Sequence, residues 1–144
     1  MHGKLTLCEY ARVTPNGSFD AIGAGVHTFN AQNFPAQITV AILVETKFSY
    51  AETGHDYLFE IKIIDPDGKP AGPTIGGAIR VPPQNIKAMY AAFNMQFVAQ
   101  NQVKLTYSLL INNDEKDSIT LEIIPMAKQD NASNLKLPGP SQKP

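Results

Sequence analysis

Residues 57–69 read YLFEIKIIDPDGK, and this stretch decides the fold class. Successive side chains of an extended chain point to opposite faces. Tyr57, Phe59, Ile61 and Ile63 therefore share one side, and Leu58, Glu60, Lys62 and Ile64 the other. The alternation stops at Asp65-Pro66-Asp67-Gly68. There Pro66 pre-sets one turn dihedral, Asp67 can bond its own backbone, and Gly68 supplies positive φ. The pattern predicts a strand running into a reverse turn. A strand with one apolar face needs a second layer to cover it.

Similar pieces lie on both sides. Residues 4–13, KLTLCEYARV, predict a first strand whose apolar face is interrupted by Glu9, and Thr14-Pro15-Asn16-Gly17 predicts a hairpin turn into a second strand over 19–26. Residues 30–35 are polar and read as a loop. Residues 37–46, QITVAILVET, are apolar on both sides, which predicts a central or doubly covered strand. Residues 47–54 read as a connection. Residues 73–81, with Gly76-Gly77, predict a short strand at a sheet edge, and 84–92 no more than one helical turn. Further strands are expected over 93–98, 102–111 and 118–126, with a polar loop at 112–117. The sum is an all-β fold, a two-layer antiparallel β-sandwich (immunoglobulin-like) of about eight strands. Residues 1–126 form this domain, and residues 127–144, ending PGPSQKP with Leu135 and Leu137 as their apolar positions, read as a flexible tail.

At 144 residues the chain fits one domain. Twelve Lys and Arg against thirteen Asp and Glu give a net charge of −1, which argues against general nucleic-acid binding. No apolar run is long enough to span a bilayer, and Met1-His2-Gly3-Lys4 has no signal pattern. Cys8 is the only cysteine. A cytoplasmic protein is expected, with no cofactor.

The candidate chemistry is thin. Asp65 and Asp67 invite comparison with calcium loops, but the other acidic cluster, Asp114, Glu115 and Asp117, is expected at the opposite end of the strands, and such sites gather oxygens at one end. His2, His27 and His55 have no metal-ligand spacing. Glu9 on an apolar face is either a perturbed carboxylate or an edge residue, with Arg12 and Arg80 the only arginines to pair it. A remaining signal is apolar: Leu58, Ile64, Leu110 and Ile124, with Leu43 as a fifth position, fall on the outward side of their strands. If these strands share a sheet, the side chains mark a protein–protein contact.

Two stretches, LCEYARVTPNGSFDAIGAG at residues 7–25 and FEIKIIDPDGKP at residues 59–70, together resemble a family of small uncharacterised bacterial proteins, a domain of unknown function. Glu9, Tyr10, Gly23, Asp65, Asp67 and Gly68 match its pattern. The resemblance implies a β-sandwich and brings no catalytic residues. The expected function is a non-catalytic intracellular binding or assembly module that engages a protein partner, or its own copies as a homo-oligomer, through a sheet face or edge. The alternatives are a small-ligand binder or enzyme with a loop-end pocket using Glu9, Tyr10 or His55, and a calcium- or lipid-binding sandwich.

Overall fold

The computed structural model describes residues 1–83 and 88–127. Ten strands follow one another among them: β1 His2–Cys8, β2 Tyr10–Val13, β3 Phe19–Ile22, β4 Thr28–Ala31, β5 Ala36–Lys47, β6 Asp56–Ile64, β7 Ile75–Arg80, β8 Ala88–Ala99, β9 Val103–Ile111 and β10 Asp114–Pro125. A single 3-10 turn at Tyr50–Glu52 is the helical element of the described residues. The all-β class is thus as the alternation of residues 57–64 requires.

Two sheets face each other across one core: a three-stranded sheet in the order β1-β5-β8 and a five-stranded sheet in the order β4-β10-β9-β6-β7. Leu5 and Leu7, then Ile38, Val40, Ile42 and Val44, line the inner face of the first sheet. Ile61 and Ile63, Leu105, Tyr107 and Leu109, and Leu121 and Ile123 oppose them from the second. Each large apolar side chain so buried contributes roughly 1.5–3 kcal/mol. On the β1 side the layers are stapled together. A bulge between Glu115 and Asp117 re-aims Asp117, whose carboxylate accepts the backbone N–H of Leu5 at 2.7 Å. Close packing persists at Gly3, where a Cβ would come within 2.7 Å of Leu109 Cδ2.

Four expectations need correcting. The first strand is two. Glu9 would continue the inner row of Leu5 and Leu7, and an unpaired carboxylate there is costly, so the chain leaves the sheet at Glu9 and starts the β2–β3 hairpin. The fold is not wholly antiparallel: β4, whose last two residues fall in the segment read as a loop, pairs in parallel with β10, because Phe29 and Phe34 pack on the core and hold it against the sheet edge. Residues 88–92 are strand rather than helical turn, since Met89 and Ala91 continue the inner row of Phe93 and Met95; residues 84–87 lie outside the described residues. The polar loop at 112–117 shrinks to Asn112-Asn113, both at positive φ (50° and 67°), as a two-residue hairpin turn between twisted strands demands. Of the expected tail, 128–144 lies outside the described residues.

Candidate functional site

The β2–β3 hairpin makes a third, small layer on the outer face of the three-stranded sheet. Cys8, Ala41 and Asn94 form one row across β1, β5 and β8. The chain leaves β1 at Cys8, and three residues later the backbone of Ala11 sits over Asn94, whose side-chain amide donates to the Ala11 carbonyl at 3.0 Å and accepts its N–H at 3.4 Å. The hairpin therefore runs across the strands instead of along them. Its small inward residues Ala11 and Ala21 cover Cys8, Ala41 and Leu43, which are buried beneath it, with Ala92 partly buried beside them. Burial pushes the Cys8 thiol above its ordinary pKa, and the residue acts as a small apolar filler.

One register further toward the turn, the inward pair is Val13 and Phe19. Phe19 packs on Tyr90 of β8, ring centroids 4.8 Å apart. Both Val13 and Phe19 nonetheless stay 40% exposed. With Ala11 already above the outermost strand, Val13 lies about 7 Å further on at ~3.4 Å per residue, and a hairpin that continues straight carries the Thr14–Ser18 turn over the sheet edge. The underside of that overhang is apolar.

The edge it overhangs is β8. Among the described residues β8 pairs with β5 alone, through twelve consecutive residue pairs, and its other side is free. Its sequence, AMYAAFNMQFVA, carries no charge and no proline, the devices by which free edges usually avoid pairing. Phe93, Met95 and Phe97 face the core but remain half-buried, because the layer stops at this strand. Val98, on the outer face, is 56% exposed. The other edges differ. The edge of β1 is capped by Asp117, β4 is four residues long, and β7 is a Gly-interrupted six-residue strand ending in Arg80.

The outward apolar residues singled out in the sequence are distributed over the five-stranded sheet. Leu58 is exposed near the Asn112 turn, and Leu110 lies between Glu60 and Glu115. Ile64 stands in the row of Thr106 and Thr120, and Ile124 beside Asn30 of β4. Between the two ends run Lys62, Ser108 and Ser118, then the Lys104–Glu122 ion pair at 3.2 Å. Leu43 belongs to the other sheet, under the hairpin.

The polar candidates separate as well. Glu9 lies at the exposed bend after β1, and His55 at the entry of β6, the far end of the layers, its carbonyl bonded to Val81 N–H. A groove of about 520 Å³ between β4 and the start of β5 does gather Glu9, His27, Asn30 and Thr39, with Cys8 in its wall. Asp65 serves its own turn, accepting the N–H groups of Asp67 and Lys69 at 3.0 and 2.8 Å, with Gly68 at φ 77° completing it. Asn112 N–H bonds Leu58 O at the start of β6, so the Asp114–Asp117 cluster lies at the opposite end of that strand from Asp65. No group of three metal-ligating side chains forms among the described residues, and no helix there is long and apolar enough to cross a membrane.

No curated protein matches the chain. Among solved structures, the chain is similar to the Pseudomonas fluorescens alkylpurine DNA glycosylase AlkC bound to DNA containing an abasic site analog, at 10% identity and a TM-score of 0.43. The match covers 83% of this chain and 30% of that one, so the chain spans under a third of that protein's length. The model of the family of unknown function DUF6941 matches residues 4–124, which take in both stretches that carried the resemblance. The chain belongs to that family.

Proposed function

We propose that the protein is a non-catalytic cytoplasmic binding or assembly module, built on an immunoglobulin-like sandwich, that engages protein through the free edge of β8. The observation that carries this reading is an edge of twelve residues, unblocked among the described residues and without charge or proline. Such an edge offers backbone donors and acceptors to an added strand, and the half-buried Phe93, Met95 and Phe97 gain cover when the layer is extended. A net charge of −1 supplies no overall basic excess for nucleic acid. The dispersal of Leu58, Leu110, Ile64 and Ile124 among polar rows favours the edge over that face.

Gln96 is exposed on β8, so Gln96→Lys places a charge on the edge without disturbing the core. Comparison of wild type with Gln96→Lys by light scattering and by partner capture from host lysate tests the reading. Loss of the associated species with an unchanged melting temperature supports it. Retention of every associated species in the variant contradicts it.

The Glu9–His27 groove favours a second reading, a small-ligand site. A ligand-dependent rise in melting temperature that Glu9→Gln and His27→Ala abolish is its expected signature.

A further inference from the structure

Resting on the β8 reading, we propose that the strand added to this edge is β8 of a second copy, and that the two hairpins clasp the joint. The pairing is antiparallel about a two-fold axis beside Met95, joining the three-stranded sheets into one of six in the order β1-β5-β8-β8-β5-β1.

Antiparallel self-pairing sets a strand against its own reverse, so any charged residue near the axis meets its like. β8 carries none in twelve residues.

The hairpins fix the register. Each hairpin lies over the rows from Asn94 back to Tyr90. An axis at Asn94 or earlier stacks both hairpins over the same rows. Met95 is the first position at which they pass side by side, about 7 Å apart. In that register Phe93 meets the second copy's Phe97 on the inner face, Asn94 meets its Gln96, and Ala92 meets its Val98. Ala88–Tyr90 stay outside the joint.

The overhang leaves apolar side chains to be covered. Val13 and Phe19 face inward on the hairpin yet are 40% exposed, and Val98 is 56% exposed on the outer face of the edge strand. The proposed register puts the second copy's Val98 under the Val13–Phe19 pair, and the reverse on the other side of the axis. Three exposed apolar side chains of one copy thereby become two equivalent contacts, the self-complementarity a two-fold interface requires.

The test is a charge exchange. Phe19→Lys and Val98→Glu are made separately, and each is checked for an unchanged melting temperature. Sedimentation velocity is expected to show wild type as a dimer and each variant alone with dimerisation weakened about tenfold or more. Mixing the two variants is expected to restore a one-to-one dimer, because one joint contact then pairs the introduced lysine with the introduced glutamate while the other is wild type. A mixture no tighter than its components overturns the clasp. Should either variant fail to fold, Gln96→Lys replaces it, since it brings two lysines together across the axis and is expected to give a monomer. A wild-type monomer that binds some other protein, lost in Gln96→Lys, overturns the second copy and leaves the edge reading standing. Association unaffected by Gln96→Lys overturns both.

Discussion

The side-chain amide of Asn94 stands in for a neighbouring strand to the backbone of Ala11, donating to its carbonyl at 3.0 Å and accepting its N–H at 3.4 Å. Ala11 is fully buried, so water offers no substitute. These two bonds, with the Ala11–Ala21 underside, tie a hairpin that would be marginal alone onto the outer face of the sheet.

Asn94→Leu is therefore expected to destabilise the fold by about 1–3 kcal/mol, the cost of leaving buried backbone groups unpaired. Chemical denaturation measures this. Amide exchange at Ala11 is expected to rise more than at Leu7, because the hairpin loosens before the sandwich does. Equal protection at both positions contradicts the role given to Asn94.

Tyr107 is fully buried, and its hydroxyl has no hydrogen-bond partner among the described residues. Burial pushes its pKa up to about 12. Removing the hydroxyl removes a desolvated polar group and keeps the ring, so Tyr107→Phe is expected to be neutral or to stabilise by about 1 kcal/mol. A loss of more than that in urea denaturation would reveal a partner for the hydroxyl.

Ile61 is fully buried at the centre of the core. Ile61→Ala is expected to cost about 2–5 kcal/mol, and a charged residue there to abolish folding. Circular dichroism and thermal melting read both. An exposed position such as Gln96 is expected to tolerate the same charge.

Acid sensitivity should have a local source. The Met1 ammonium, the Ser49 backbone N–H at 2.7 Å and the Ser49 hydroxyl at 3.0 Å hold the Glu52 carboxylate, taking its pKa from an ordinary 4.5 to about 2. A pKa depressed by folding gives stability that is complete above about pH 4.5 and is lost as pH falls toward about 2. Glu52→Gln is expected to flatten the melting-temperature profile in that window and to leave it unchanged in shape at neutral pH. An identical acid slope in the variant removes Glu52 from the account.

Much of the layer plan was legible because it is periodic. The alternations at residues 57–64 and 103–111 place Ile61, Ile63, Tyr107 and Leu109 in the core without reference to the rest of the chain, and the two-sided apolar run at 37–46 marks the central strand, covered by a second layer on one face and the hairpin on the other. What escaped depends on partners distant in sequence. Residues 88–92 hold three alanines, which carry little strand preference. Only pairing with Lys47–Leu43 of β5 makes them strand. The split at Glu9 was signalled by a carboxylate in an apolar row, but its meaning, a chain leaving one sheet to cross its back, is set by the distant Asn94. The free edge had one sequence signature, the lack of any charge from Ala88 to Ala99, which an expected helical turn at 84–92 concealed.

Amide hydrogen exchange along β8, in dilute protein and in its associated form, tests the central claim most directly. In a strand paired on one side, alternate N–H groups point outward and exchange freely. The account predicts that on association these outward amides between Ala91 and Ala99 become protected, while those bonded to β5 change little. If the outward amides of β8 exchange equally fast in the isolated and associated forms, this edge is not where the protein meets its partner.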